Sequence, residues 1–389
     1  MLGFALVAAL AASPFSRAAP PRLDIGVQSD TTQSGDASCV AALDSLVRVL
    51  QRDHPGYRDR VVGHEGTFAM LVDSVRSVAA TPAADSSYQV CIPALQRVTS
   101  FFRDAHLALW QGPKPVAAPE GALAPPTAVP PDDPDRPALR RSDTRTLILR
   151  LPDLDMRYEP VVDSLVATRW TELTATPTLV IDLRGNGGGC TCTYDALLPL
   201  VATGPIAGDE EDVWASAANV AYFRAMASDA GTPDTLKAEL RRLLPRLEAA
   251  PNAFVAQDTD PAAAIYTPPA VLPRPSAVAV LVDAHCASSC EEFVMAARQS
   301  SKMTVFSATN TAGTDDYGNI RPVMLPGWRR LRVATSRSAR LRAGTQAAID
   351  FVGLSPDVRL PPDSAAGDAA VTFALHHLRT RPPAGDTRR

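Results

Sequence analysis

The chain has 389 residues, 46% hydrophobic and 21% charged, a globular composition with enough apolar material for a sizeable core. A net charge of -4 leaves no basic field for a polyanion, so nucleic acid is not an expected partner. The first element is the apolar run from Leu2 to Ala12. It is too short to cross a bilayer, which takes about 20 apolar residues. Ser16-Arg17-Ala18 then offers the small residues of a cleavage site, and Pro20-Pro21 blocks any continuing helix. Residues 1–18 therefore read as a signal peptide, despite the lack of Lys or Arg before the apolar run. A periplasmic or extracellular location and no stable membrane span are expected.

Residues 39–110 have a helical period: Val40, Leu43, Leu46, Val47 and Leu50 recur at three and four, as do Phe68, Leu71, Val75 and Val78. His54-Pro55-Gly56 breaks the first run. A small N-terminal helical bundle is expected. Residues 111–142 are dense in Pro and Ala and read as a linker, without the strand pattern of an inserted peptide-binding domain. From 143 to 380 strand-length apolar runs alternate with helical stretches. Leu147–Leu151, Thr178–Leu183, Ala277–Val282, Met303–Phe306 and Arg332–Thr335 read as strands, and Ser289–Gln299 as a helix. Such alternation predicts an α/β core with helices covering the sheet.

Two segments carry chemistry. In Thr178–Gly189, an apolar strand ends in Asp182-Leu-Arg184 and turns through Gly185, Gly187, Gly188 and Gly189 around Asn186. Consecutive N–H groups in such a turn form an anion hole. The loop matches neither the dinucleotide nor the P-loop pattern. In Val278–Phe293, a second strand runs into a turn that places Ser288 at the mouth of a helix. There it reads either as an N-cap or as a nucleophile helped by the helix N-terminus. The six cysteines are Cys39, Cys91, Cys190, Cys192, Cys286 and Cys290. An even count points to pairing in an oxidising compartment, with the partners left open. A zinc site is disfavoured by the one-residue Cys190–Cys192 spacing, so neither metal nor cofactor is expected.

Together the segments "DLRGNGGG" (Asp182–Gly189) and "CASSCEEF" (Cys286–Phe293) resemble those of the tail-specific, or C-terminal processing, serine peptidases and their tricorn-core branch. "TAGTDDYGNIRPVMLP", "TSRSARL" and "GLSPDVRL" extend the likeness to Leu360, and "HPGYRDRV" upstream is also familiar. The resemblance implies a crotonase-like α/β spiral core and hydrolysis of peptides or proteins. It places the nucleophile at Ser288. The backbone N–H of Gly187 or Gly188, with that of Ser289, would form the oxyanion hole, and Glu291, Asp182 and Arg184 would support the turns.

A serine needs a general base. The chain's lysines are Lys114, Lys237 and Lys302, and none falls in Met303–Tyr317, where a dyad lysine belongs. The branch without that lysine resembles a Ser-His-acid triad. His106, in "RDAHLALW", matches its histidine, with His285 as rival. Asp350, in "IDFVGLSPD", matches its acid, with Asp104 as alternative. A non-catalytic protein binding hydrophobic ligands or peptides is the competing function, and an acyl-transfer or thioester enzyme the third. Substrate specificity and oligomeric state are not encoded in any recognisable motif.

Overall fold

The computed structural model describes residues 38–112, 129–258, 265–342, 348–365 and 367–380. The expected signal peptide lies outside them. Its centre is a six-stranded sheet in the order Val358–Arg359, Met303–Ser307, Ala277–Leu281, Thr178–Asp182, Thr146–Arg150, Ala138–Asp143. All neighbours run parallel except the last pair, which is an antiparallel hairpin. The central strands are apolar along most of their length because both faces are covered. Leu147, Leu149, Leu179, Ile181, Val278 and Val280 join one core with the helices that follow the strands. Ile148, Val180, Ala279 and Leu281 face the C-terminal helix Gly367–Thr380, which contributes Val371, Ala374 and Leu375. The expected mixed α/β core with a helical N-terminal region is the observed architecture.

The helices Cys39–Asp53, Glu65–Ala79 and Tyr88–Ser100 pack through the predicted stripes. Ser38 starts the first by accepting the Ala41 N–H (3.1 Å), and Cys39–Cys91 ties it to the third. Their core is completed by Leu325, Leu331 and Val333, from strands Arg321–Leu325 and Arg329–Val333. The strand Leu109–Gln111 adds to the same small antiparallel sheet. The N-terminal helices therefore share a core with strands more than 200 residues away in sequence. The stretch expected to be a linker up to 142 differs as well. Residues 113–128 lie outside the described set, but Ala138–Asp143 is the edge strand of the main sheet. Its charged sequence suits an edge, where one side faces water.

A second antiparallel sheet orders Tyr317–Gly318, Ser336–Ser338, Glu211–Trp214 and Phe254–Ala256. Helices Ala217–Ser228 and Asp234–Ala249 cover it through Phe223, Leu240, Leu243 and Leu247. No helix among the described residues is long and apolar enough to cross a membrane.

Candidate active site

The parallel register aligns Asp182 with Leu281, so both chemistry-bearing turns leave the sheet side by side at the carboxyl ends of their strands. That edge is where open α/β sheets place ligands. Asp182 receives a bidentate pair of hydrogen bonds from Arg184 (2.8 and 2.7 Å), and Arg184 also donates to the Gly367 carbonyl (3.0 Å). The Gly185 N–H donates to Asp283 Oδ2 across the two turns (3.0 Å). Buried Asn186 stands in for backbone partners: its Nδ2 donates to the Leu151 carbonyl (2.9 Å), and its Oδ1 accepts the Gly188 N–H (2.8 Å). Gly188 has φ +93°, and a Cβ there would lie 2.5 Å from the Ala287 carbonyl oxygen and 2.9 Å from Ser288 Cβ. Only glycine lets the two turns approach this closely. At Gly187, by contrast, a Cβ would meet open space.

Ser288 precedes the helix Ser289–Ala297 with φ 54° and ψ -127°. Such a backbone costs a non-glycine residue about 1–3 kcal/mol and persists only where its surroundings enforce it. The Ser288 N–H donates to Thr314 Oγ1 (2.7 Å) and to Glu291 Oε2 (3.3 Å). Fully buried Glu291 also accepts the N–H groups of Gly313 (2.8 Å) and Thr314 (2.7 Å) and the hydroxyls of Thr311 and Thr314. Its carboxylate thus joins the Ser288 turn to the loop 311–314. The Ser289 hydroxyl donates to the Gly189 carbonyl (3.0 Å), a further tie to the glycine turn.

The loop that braces Ser288 continues to His106. His106 is 7% exposed, and its Nδ1 lies 2.7 Å from the Tyr317 carbonyl oxygen. A carbonyl only accepts, so Nδ1 carries the proton and Nε2 keeps its lone pair. Burial lowers the His106 pKa, with Arg332 in the same direction; the Asp104 charge and the bond to Tyr317 work against it. The result is a neutral imidazole. Asp104 caps the turn, its Oδ1 accepting the N–H groups of His106 (2.7 Å) and Leu107 (3.2 Å), and its Oδ2 lies 2.7 Å from His54 Nε2.

Asp350 does not meet the imidazole as expected of an orienting acid. Its Oδ2 accepts the Ala105 N–H (3.0 Å) and its Oδ1 the Asp316 N–H (2.8 Å). On the His106 side it therefore contacts only the backbone of the preceding residue, and the imidazole Nδ1 is already occupied by the Tyr317 carbonyl. Burial, with the charges of Asp104 and Asp316, pushes the Asp350 carboxyl up to about 8. The rival His285 is exposed beside Asp283, and Lys302 donates to the Leu272 carbonyl. Thr314, Tyr317, Asn186 and His54 escaped the sequence reading as site residues. They serve through individual hydrogen bonds or, for Tyr317, a main-chain atom, and no residue type announces such a role.

The model of peptidase family S41 matches residues 145–360, more than half of the chain and both turns. The chain belongs to peptidase family S41. This S41 protein is a serine peptidase, and its fold matches solved structures over nearly their whole length. Against mature CPAF the TM-score is 0.57 at 13% identity, covering 88% of this chain and 96% of that one. Against a putative peptidase from Parabacteroides merdae ATCC 43184 it is 0.50 at 14% identity, covering 87% and 98%. At such identities the likeness speaks for the fold alone. No curated protein matches the S41 chain in a sequence search.

The cysteines of this S41 peptidase pair as Cys39–Cys91, Cys190–Cys192 and Cys286–Cys290, with none free. The second bridge follows the glycine turn directly, and the third spans Ser288. A buried acidic group surrounds Arg340, whose Nη1 also approaches Met295 of the helix Ser289–Ala297. Arg340, 6% exposed, pairs with Asp209, Asp315 and Asp316, and burial pushes the carboxyls of Asp315 and Glu292 upward.

Proposed function

We propose that this S41 peptidase cleaves peptide bonds through an acyl-enzyme on Ser288, with His106 as general base, outside the cytoplasm. The observation that carries the reading is the enforced backbone of Ser288, pressed against Gly188 at the end of the sheet. A strained serine at a strand-to-helix turn is the arrangement in which nucleophilic serines are held at the end of a sheet.

His106 supports the base role because its Nδ1 is fixed on the Tyr317 carbonyl, which leaves Nε2 to take the Ser288 proton. The serine oxygen then bonds to the scissile carbonyl carbon, and the oxyanion is stabilised by backbone N–H groups. The Gly188 N–H is committed to Asn186, which favours those of Gly187 and Ser289; neither donates to a partner among the described residues. His106 returns the proton to the leaving amine, and water, deprotonated by the same imidazole, releases the acid. Asp350 and Asp104 hold the two ends of the His106 turn. Three disulfides support export to an oxidising compartment, consistent with residues 1–18 as a signal peptide.

A fluorophosphonate tests the chemistry. The folded protein is expected to take one label, mapped to Ser288 by peptide mass and absent in Ser288→Ala. His106→Ala is expected to slow labelling by about 10²-fold or more. Well-folded protein that takes no label would instead favour a binding function on this fold.

A further inference from the structure

We propose that the Cys286–Cys290 disulfide is a positioning element for the Ser288 nucleophile, so that full activity requires this bridge. The inference rests on the reading of Ser288 as nucleophile. The bridge joins Cα atoms 5.3 Å apart and encloses three residues, with Ser288 at the middle. That central residue has φ 54°, a conformation that an L-residue leaves unless its neighbours prevent it.

Both cysteines are fully buried on anchored backbone. Cys286 donates its N–H to the Asp283 carbonyl (3.1 Å) and accepts the Ala312 N–H (2.8 Å); Cys290 sits in the first turn of the following helix. The bridge therefore clamps the entry strand side of the turn to the helix that leaves it. Without it, Ser288 is held by its packing on Gly188 and by hydrogen bonds, chiefly those to Thr314 and Glu291. A ring this short removes only about half as much freedom from the unfolded chain as a loop of some fifty residues, while both its ends are anchored beside Ser288, so it bears directly on native geometry. Catalysis is sensitive to that geometry: a displacement of about 1 Å costs on the order of 10²-fold in rate.

The test compares fluorophosphonate labelling of the parent with Cys286→Ala/Cys290→Ala. Saturation kinetics separate the limiting labelling rate from the half-saturating concentration. The double variant is expected to keep its circular dichroism and half-saturating concentration, while its limiting rate falls about 10²-fold. A folded double variant that labels at the parental rate overturns the proposal.

If that variant does not fold, the parent is reduced instead. Dithiothreitol passes two electrons and two protons to the bridge, giving two thiols and its own cyclic disulfide. Alkylation mapped to Cys286 and Cys290 on a parallel sample identifies the reduced species. Labelling is expected to drop in the folded, reduced protein and return when glutathione disulfide re-forms the bridge; an unchanged rate overturns the proposal. A parent that takes no label at Ser288 at all removes the nucleophile reading itself, a different failure.

Discussion

His106 and Asp350 reach one another only through main chain. The imidazole is fixed by a carbonyl at 2.7 Å, and the carboxylate grips the amide of Ala105 next to it. The consequence is measurable in pH dependence. A base must be neutral, and burial lowers the pKa of His106. The acid limb of the labelling rate is therefore expected to have its midpoint below about 6.5, the ordinary value for histidine. The Asp104 charge is the largest influence in the opposite direction, so Asp104→Asn is expected to move that midpoint lower still. A midpoint that rises in this variant would contradict the assignment of His106 as base.

Among the elements, the glycine turn and the disulfides have separable jobs. Gly188→Ala introduces a Cβ 2.5 Å from a backbone oxygen at φ +93°, where no side-chain rotation relieves the clash. Labelling of Ser288 is expected to fall by at least about 10²-fold, with secondary structure retained on circular dichroism. The Cys39–Cys91 bridge, with a sequence separation of 52, lies in the helical region. In the chain-entropy account a loop of that size stabilises by about 4 kcal/mol, roughly twice a five-residue loop. Cys39→Ala/Cys91→Ala is expected to lower the melting temperature by on the order of 10 °C and leave the labelling rate per folded molecule unchanged.

For the whole molecule, buried charge sets the response to pH and to loss of Arg340. Asp350, pushed up to about 8, binds a proton in the folded state that it releases at about 3.9 when unfolded. Its contribution to stability is therefore present below about 4 and lost as pH rises towards 8. Asp315 and Glu292 shift the same way, while His106, lowered, works in the opposite sense below about 6.5. Three acids outweigh one histidine. The melting temperature is expected to be higher near pH 5 than near pH 9, a trend that a pH series of thermal melts would check. Arg340→Met removes the buried cation that pairs with Asp209, Asp315 and Asp316, and is expected to cost about 3–5 kcal/mol in denaturant unfolding.

Much of this was legible from one-dimensional pattern. Doubly buried strands announce themselves as apolar runs, helices as stripes, and tight turns as glycine. The alternating α/β core and the helical N-terminal region followed from those signals, and the peptidase family from the resemblance of its ordered motifs. Pairing of distant segments was not, because register and packing have no local signature. Only the tertiary structure showed that Ala138–Asp143 belongs to the main sheet and that Leu331 completes the helical core. Only there did the cysteines acquire partners and Asp350 a main-chain contact in place of an imidazole. Residue types constrain which chemistry is available; the placement of main-chain donors and acceptors, invisible in side-chain identity, decides how it is held.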